Sequence, residues 1–105
     1  MASIGSSILP ASGLLKAQFV MNFAITLANT EYMLTVPIGT KYFRMQNRGS
    51  GYVNIADTVL SSGTTYFRLH QGDSHEVGNI GGSDSIIMYV QSNKPAQTLE
   101  IIYWT

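Results

Sequence analysis

From Leu15 to Leu27 every odd position is apolar: Leu15, Ala17, Phe19, Met21, Phe23, Ile25 and Leu27. The positions between them include Lys16, Gln18, Asn22 and Thr26. An extended strand turns successive side chains to opposite faces, so this alternation lays all the apolar groups on one side. A helix would scatter the same residues around its axis. The stretch therefore predicts one long strand with one buried face.

The signal recurs in shorter units separated by turn chemistry. "YMLTV" ends at Pro37, and Gly39 in "PIGT" is free to take a positive φ. "KYFRMQN" sets Phe43 and Met45 against Tyr42, Arg44 and Gln46, while "YVNIA" puts Val53 and Ile55 on one face. "TYFRL" aligns Phe67 with Leu69, and "IIMYVQ" is partly apolar on both faces. Counting the opening run and the closing "TLEIIYWT", the chain holds about eight short strands at the spacing of an all-β fold. No segment carries a helical stripe. The unequal loops favour an antiparallel β-sandwich of jelly-roll kind over a simple meander. Phe19, Phe23, Phe43 and Phe67 are expected together in its core. Residues 1–13, rich in Ser, Ala and Gly, read as a flexible N-terminal arm, and 14–105 as a single domain.

Charge narrows the classes of function. Six basic residues balance six acidic ones, and only 11% of the chain is charged, against roughly a quarter in an average domain. Arg44, Arg48, Arg68 and Lys41 are thus a poor footprint for nucleic acid. No stretch nears the roughly 18 uncharged apolar residues of a membrane span. "ILPASGLL" is broken by Pro10 and Gly13 and has no basic start, so no secretory leader is expected. The absence of cysteine excludes thiol nucleophiles, thiolate metal sites and disulfides. A weakly charged surface has little protection against association, which favours one partly covered by partners.

Residues able to do chemistry are concentrated in "LHQGDSHEV", with His70, Asp73, His75 and Glu76 close together. Gly72-Asp73 is a hairpin-type pair that would set His70 beside His75 across two strands. Zinc takes three or four converging ligands, and the stretch offers only this pair of histidines. The cupin spacing, two histidines one residue apart and a glutamate soon after, is absent. The stretch is expected to be a polar turn. No Gly-x-Ser-x-Gly elbow is present, and "GNIGGSD" lacks the lysine and helix of a phosphate loop. Asp84 and Glu100 would serve glycoside hydrolysis only with a second acid brought near. Tyr66, Tyr89, Tyr103 and Trp104 read as strand-face and interface residues rather than a sugar platform. No catalytic residue, metal ligand or cofactor is assigned, and the chain is expected not to be an enzyme.

The runs "YMLTVPIGTKYFRMQNRGSGYVNIA", "GTTYFRLHQGDSHEV" and "IIMYVQSNKPAQTLEIIYWT" resemble small virion structural proteins of tailed bacteriophages. Short all-β domains of that group carry similar "VPxGT", "YFxLxxG" and closing "IIYW" strings. The resemblance covers roughly residues 30 to 105 and fits head decoration, or cement, proteins best. It implies a non-enzymatic role on the capsid surface, with the phage major capsid protein as partner and no nucleic acid or membrane. A carbohydrate- or receptor-binding module of a phage tail or baseplate is the alternative. The chain itself is expected to be a homo-oligomer, trimer or dimer. Its last strand is apolar on both faces, so Ile102 and Trp104 are expected at or near the subunit contact.

Overall fold

The structure is a computed structural model that describes residues 17–78 and 80–105. The expected arm, residues 1–13, lies outside them. Among the described residues the elements are β1 (Gln18–Ile25), β2 (Tyr32–Val36), β3 (Tyr42–Asn47), β4 (Val53–Ala56), β5 (Phe67–Leu69), β6 (Ser74–Val77), β7 (Ile86–Ser92) and β8 (Gln97–Trp104). They form two antiparallel four-stranded sheets, β1-β8-β3-β6 and β2-β7-β4-β5. The protein is an all-β sandwich.

The pairing follows one rule. β4 pairs with β5, β3 with β6, β2 with β7 and β1 with β8. The chain is thus one long hairpin, doubled back at the β4–β5 loop, whose successive pairs are laid alternately in the two sheets. The ladders β3–β8 and β4–β7 lock neighbouring pairs together. Every connection except β4–β5 crosses between sheets.

Alternation places the core between the sheets. Phe43 and Met45 of β3, Leu99 and Ile101 of β8, Leu34 and Val36 of β2, and Val53, Ile55 and Val90 from β4 and β7 meet there fully buried. Phe19, Tyr103, Phe43 and Val77 form one row across the first sheet. The four phenylalanines are not all buried, however. Phe43 is 1% exposed, but Phe19 and Phe67 are 44% and 41% exposed. The strand phase holds and the depth does not. β1 is a sheet edge whose odd positions sink gradually from Phe19 to Ile25, and Phe67 sits on a three-residue edge strand.

One end of the sandwich is closed by polar groups. Asn47 is buried at the end of β3. Its Nδ2 donates to the carbonyls of Gly51 (2.7 Å) and Leu69 (3.0 Å), and its Oδ1 accepts from Gly49 N (2.9 Å). Its backbone N donates to Asp73 O, and its carbonyl accepts from Gly72 N. Gln97 Oε1 accepts from Gly51 N at 2.9 Å. A side chain at Gly49 would collide with Gln97, so this turn requires glycine for close approach.

Gly72-Asp73 is not a hairpin tip. β5 and β6 lie in different sheets, and residues 70–73 form the turn that carries the chain across. Asp73 N donates to His70 O at 2.9 Å, with Gly72 at φ 83°, as a type II turn needs. His70 and His75 are therefore not cross-strand neighbours. His70 lies edge-on to Tyr52, and His75 packs on Phe67 with ring centroids 4.7 Å apart.

The register makes a stability prediction. Phe43→Ala should cost about 3–5 kcal/mol in denaturant unfolding, because it leaves a cavity in the core. Phe19→Ala, on the same cross-strand row but half in water, should cost roughly 1 kcal/mol. Equal losses at the two positions would contradict the arrangement of the layers.

Candidate functional site

The consecutive strands β5 and β6 are the edges of opposite sheets, and between them the sandwich is open. The opening is a cleft of about 180 Å³, walled by Phe43, Ile55, Phe67, Val77 and Met88, with His75 and Asp57 also in its lining. A second hollow of about 290 Å³, reaching Thr65 and Tyr66, shares Ile55, Asp57 and Phe67 with it. A dry cavity of roughly 150 Å³ accepts a benzene-sized guest, so the cleft has room for one apolar side chain. Among the described residues no three His, Cys, Asp or Glu side chains converge as a metal site. The cleft offers burial with a sparse polar lining.

The loop 57–66 leaves β4 beside this cleft. It is held by Glu31, the residue preceding β2. Glu31 accepts hydrogen bonds from Leu60 N (2.7 Å), Ser62 N (3.1 Å) and Ser62 Oγ. Ser62 is buried, and its hydroxyl also sits 2.9 Å from Gln91 Oε1 of β7. Ser61 N donates to Thr58 O, closing a turn with Val59 and Leu60 at its corners. Leu60 takes φ 64° and is 82% exposed, with Val59 57% exposed beside it. A left-handed leucine is strained by about 1–2 kcal/mol, and persists only where its surroundings fix it. Here three hydrogen bonds to one carboxylate fix it. The result is an apolar pair held out into water.

The hydroxyl of Ser62 is the main reason the Glu31 carboxyl titrates below its usual range. Partial burial opposes that effect, and the Leu60 and Ser62 amides reinforce it.

The outer face beside the loop is polar and already engaged. Arg68 of β5 stacks on Tyr52, its guanidinium carbon 3.7 Å from the ring centre. Its Nε donates to Asn54 Oδ1 (2.9 Å), and an Nη donates to the Tyr66 hydroxyl (3.1 Å). Tyr52 thus has one face covered by the protein's own arginine, which removes it as a platform for a sugar ring on that side. Arg68 is a brace between strand and loop rather than part of a basic patch.

The expected seam is altered by burial. Ile102 and Trp104 do point to the outer side of their sheet, in register with Arg44 and Tyr42. Yet Trp104 is only 3% exposed: its ring lies on Tyr42, with centroids 4.9 Å apart, and its Nε1 donates to Gln18 Oε1. It is packed within its own chain and offers no free contact surface. Ile102 is half-buried beside Val20 of β1. Glu100 faces Asn22 and Gln46 across its two ladders, with no carboxylate opposite. Glu31, Val59, Leu60 and Ser62 lie in connections between the strand signals, and the alternation pattern singles out none of them. The available signal was the apolar pair set between turn-forming residues.

No protein-family model matches the sequence, and no curated protein matches it. Among solved structures the protein is similar to a de novo designed double-stranded beta-helix determined by solution NMR, at TM-score 0.50 and 18% identity, over 86% of this chain and 100% of that one. At that identity the likeness is one of fold.

The Glu31 clamp has a pH signature. A carboxyl whose pKa is lowered by folding stabilises the loop above its ordinary value, and that contribution is lost as pH falls through the folded value. At neutral pH the Leu60 and Ser62 amides should be protected from hydrogen exchange. Glu31→Gln should expose them there, and acidification below the ordinary glutamate range should do the same in the parent, after correction for intrinsic exchange rates. Unchanged protection in the variant would remove Glu31 as the brace.

Proposed function

We propose that this protein is a non-enzymatic structural protein of a tailed-phage virion, a decoration or cement protein that docks on the major capsid lattice. The phage assignment rests on the sequence runs that resemble such proteins. The docking role is supported by one structural observation: the braced loop that holds Val59 and Leu60 in water. A strained, exposed apolar pair has no value to the isolated fold. It has value when a partner buries it, because a rigid loop loses little freedom on binding. The neighbouring cleft offers a matching recess for an apolar side chain of that partner. Repetition over a lattice then multiplies modest contacts into firm attachment.

The mirrored strand pairing also supports reading the sandwich as a jelly roll, two interleaved Greek keys. Such a frame serves many functions, so the loop and not the fold carries the proposal. The place of action on this reading is the outer surface of the capsid. The tail or baseplate carbohydrate-binding alternative is weakened by Arg68, which occupies a face of Tyr52.

Pelleting undecorated capsids with the purified protein tests the reading. The parent should be taken up, and the double change Val59→Asp with Leu60→Asp should weaken uptake by about tenfold or more while leaving the circular dichroism unchanged. No uptake by the parent would overturn the decoration role. Selective capture of a glycan on an array would replace it with the tail reading.

A further inference from the structure

Among the described residues the sandwich has four sheet edges: β1, β6, β2 and β5. An open edge is a template for pairing with another chain, and proteins blunt it by shortness, charge or proline. Three edges here are blunted. β5 has three residues and carries Arg68, β6 has four with His75 and Glu76, and β2 has five, set between Glu31 and Pro37. β1 differs on every count. It has eight residues, QFVMNFAI, with no charge, proline or glycine. Phe19 and Val20 on its two faces are 44% and 57% exposed.

The direction of its backbone groups can be read from the ladder. Thr105 N donates to Ala17 O on one side of β8, and Lys41 N donates to Trp104 O on the other. Backbone groups alternate in direction along a strand. The odd residues of β1 therefore bond to β8, and Gln18, Val20, Asn22 and Ala24 turn their N–H and C=O groups to the open edge.

We propose that two copies of the protein join through β1, antiparallel about a two-fold axis at Met21, merging two four-stranded sheets into one of eight strands. Pairing Gln18 of one copy with Ala24 of the other, and Val20 with Asn22, engages all four outward residues of each strand. A shift by two places sets Gln18 or Ala24 against a residue beyond β1, and a shift by one opposes the wrong faces. The same register sets Phe19 of one copy beside Phe23 of the other, which covers the half-exposed ring. The strand is uncharged, so the two-fold brings no like charges face to face. The occupant that fits this edge is a second copy, because the edge complements itself, as an isologous contact requires. Ile102, expected at the subunit contact, pairs with Val20 of β1 and so would lie one strand in from this axis. The inference does not depend on a capsid role.

Sedimentation of the full-length chain at micromolar concentration should give a dimer. The Val20 N–H is not needed by β8, so Val20→Pro should yield a monomer with unchanged circular dichroism. The chain has no cysteine, which allows a direct check of register. At the axis the two Met21 residues form a non-hydrogen-bonded pair with Cα atoms about 4.5 Å apart, within disulfide reach. Met21→Cys should cross-link into a dimer on mild oxidation, and Phe23→Cys, which faces Phe19, should not. A parent that stays monomeric, a dimer that persists in a folded Val20→Pro variant, or equal cross-linking at positions 21 and 23 would overturn the proposal. If Val20→Pro does not fold, the cysteine pair decides.

Discussion

The structure depends on a polar junction inside an apolar sandwich. The chain crosses from one sheet to the other on either side of β4–β5, once through the turn after Asn47 and again through the turn before β6. Two such crossings leave carbonyls and amides at the end of the core, and those of Gly51 and Leu69 are buried there. Unpaired, each costs on the order of 1–3 kcal/mol. Asn47 answers both crossings at once: its amide group serves the carbonyls of Gly51 and Leu69 and the N–H of Gly49, and its backbone serves Gly72 and Asp73. Gln97 completes the set at Gly51. Only a residue with donors and an acceptor on one short side chain meets that geometry. With the junction satisfied, β3 and β8 are held in register and the apolar faces on either side of the layer meet.

A sandwich closed in this way leaves its functional capacity at the margins. The interior is filled, and the described polar side chains with defined contacts are largely engaged with one another: Arg68 with Tyr52, Asn54 and Tyr66, and Glu31 with the 57–66 loop. What remains open is apolar and peripheral. The leucine tip, the cleft between β5 and β6, and the uncharged β1 edge all invite burial by another surface. Low overall charge belongs to the same logic, since nothing in the composition repels a neighbouring subunit.

The strands were legible because period-two alternation survives wherever one face is covered. Phe19 to Ile25, Phe43 to Asn47 and the closing strand keep the phase that their sequences imply, while Leu27 lies past the end of β1 and is exposed. Depth was not legible. Phe19 and Phe67 have the same alternation as Phe43, and only their places on edge strands leave them in water. Sheet membership was also hidden at Gly72-Asp73, where the same dipeptide serves a hairpin or a crossing turn, and the register of β3 with β6 decides between them. Trp104 points outward as its position implies, but Tyr42 and Gln18 close over it, a contact between residues far apart in the chain. The Glu31 clamp spans about thirty positions, so no local pattern announces it.

The central claim is that Asn47 holds the two sheet crossings together, and urea unfolding of Asn47→Ala measures it most directly. Loss of its three side-chain hydrogen bonds should leave the buried Gly51 and Leu69 carbonyls and the half-buried Gly49 amide without partners and cost about 3 kcal/mol or more, with the exposed neighbour Arg48→Ala costing under about 0.5 kcal/mol. A loss below about 1 kcal/mol in Asn47→Ala would contradict the account and return the origin of the fold to apolar packing alone.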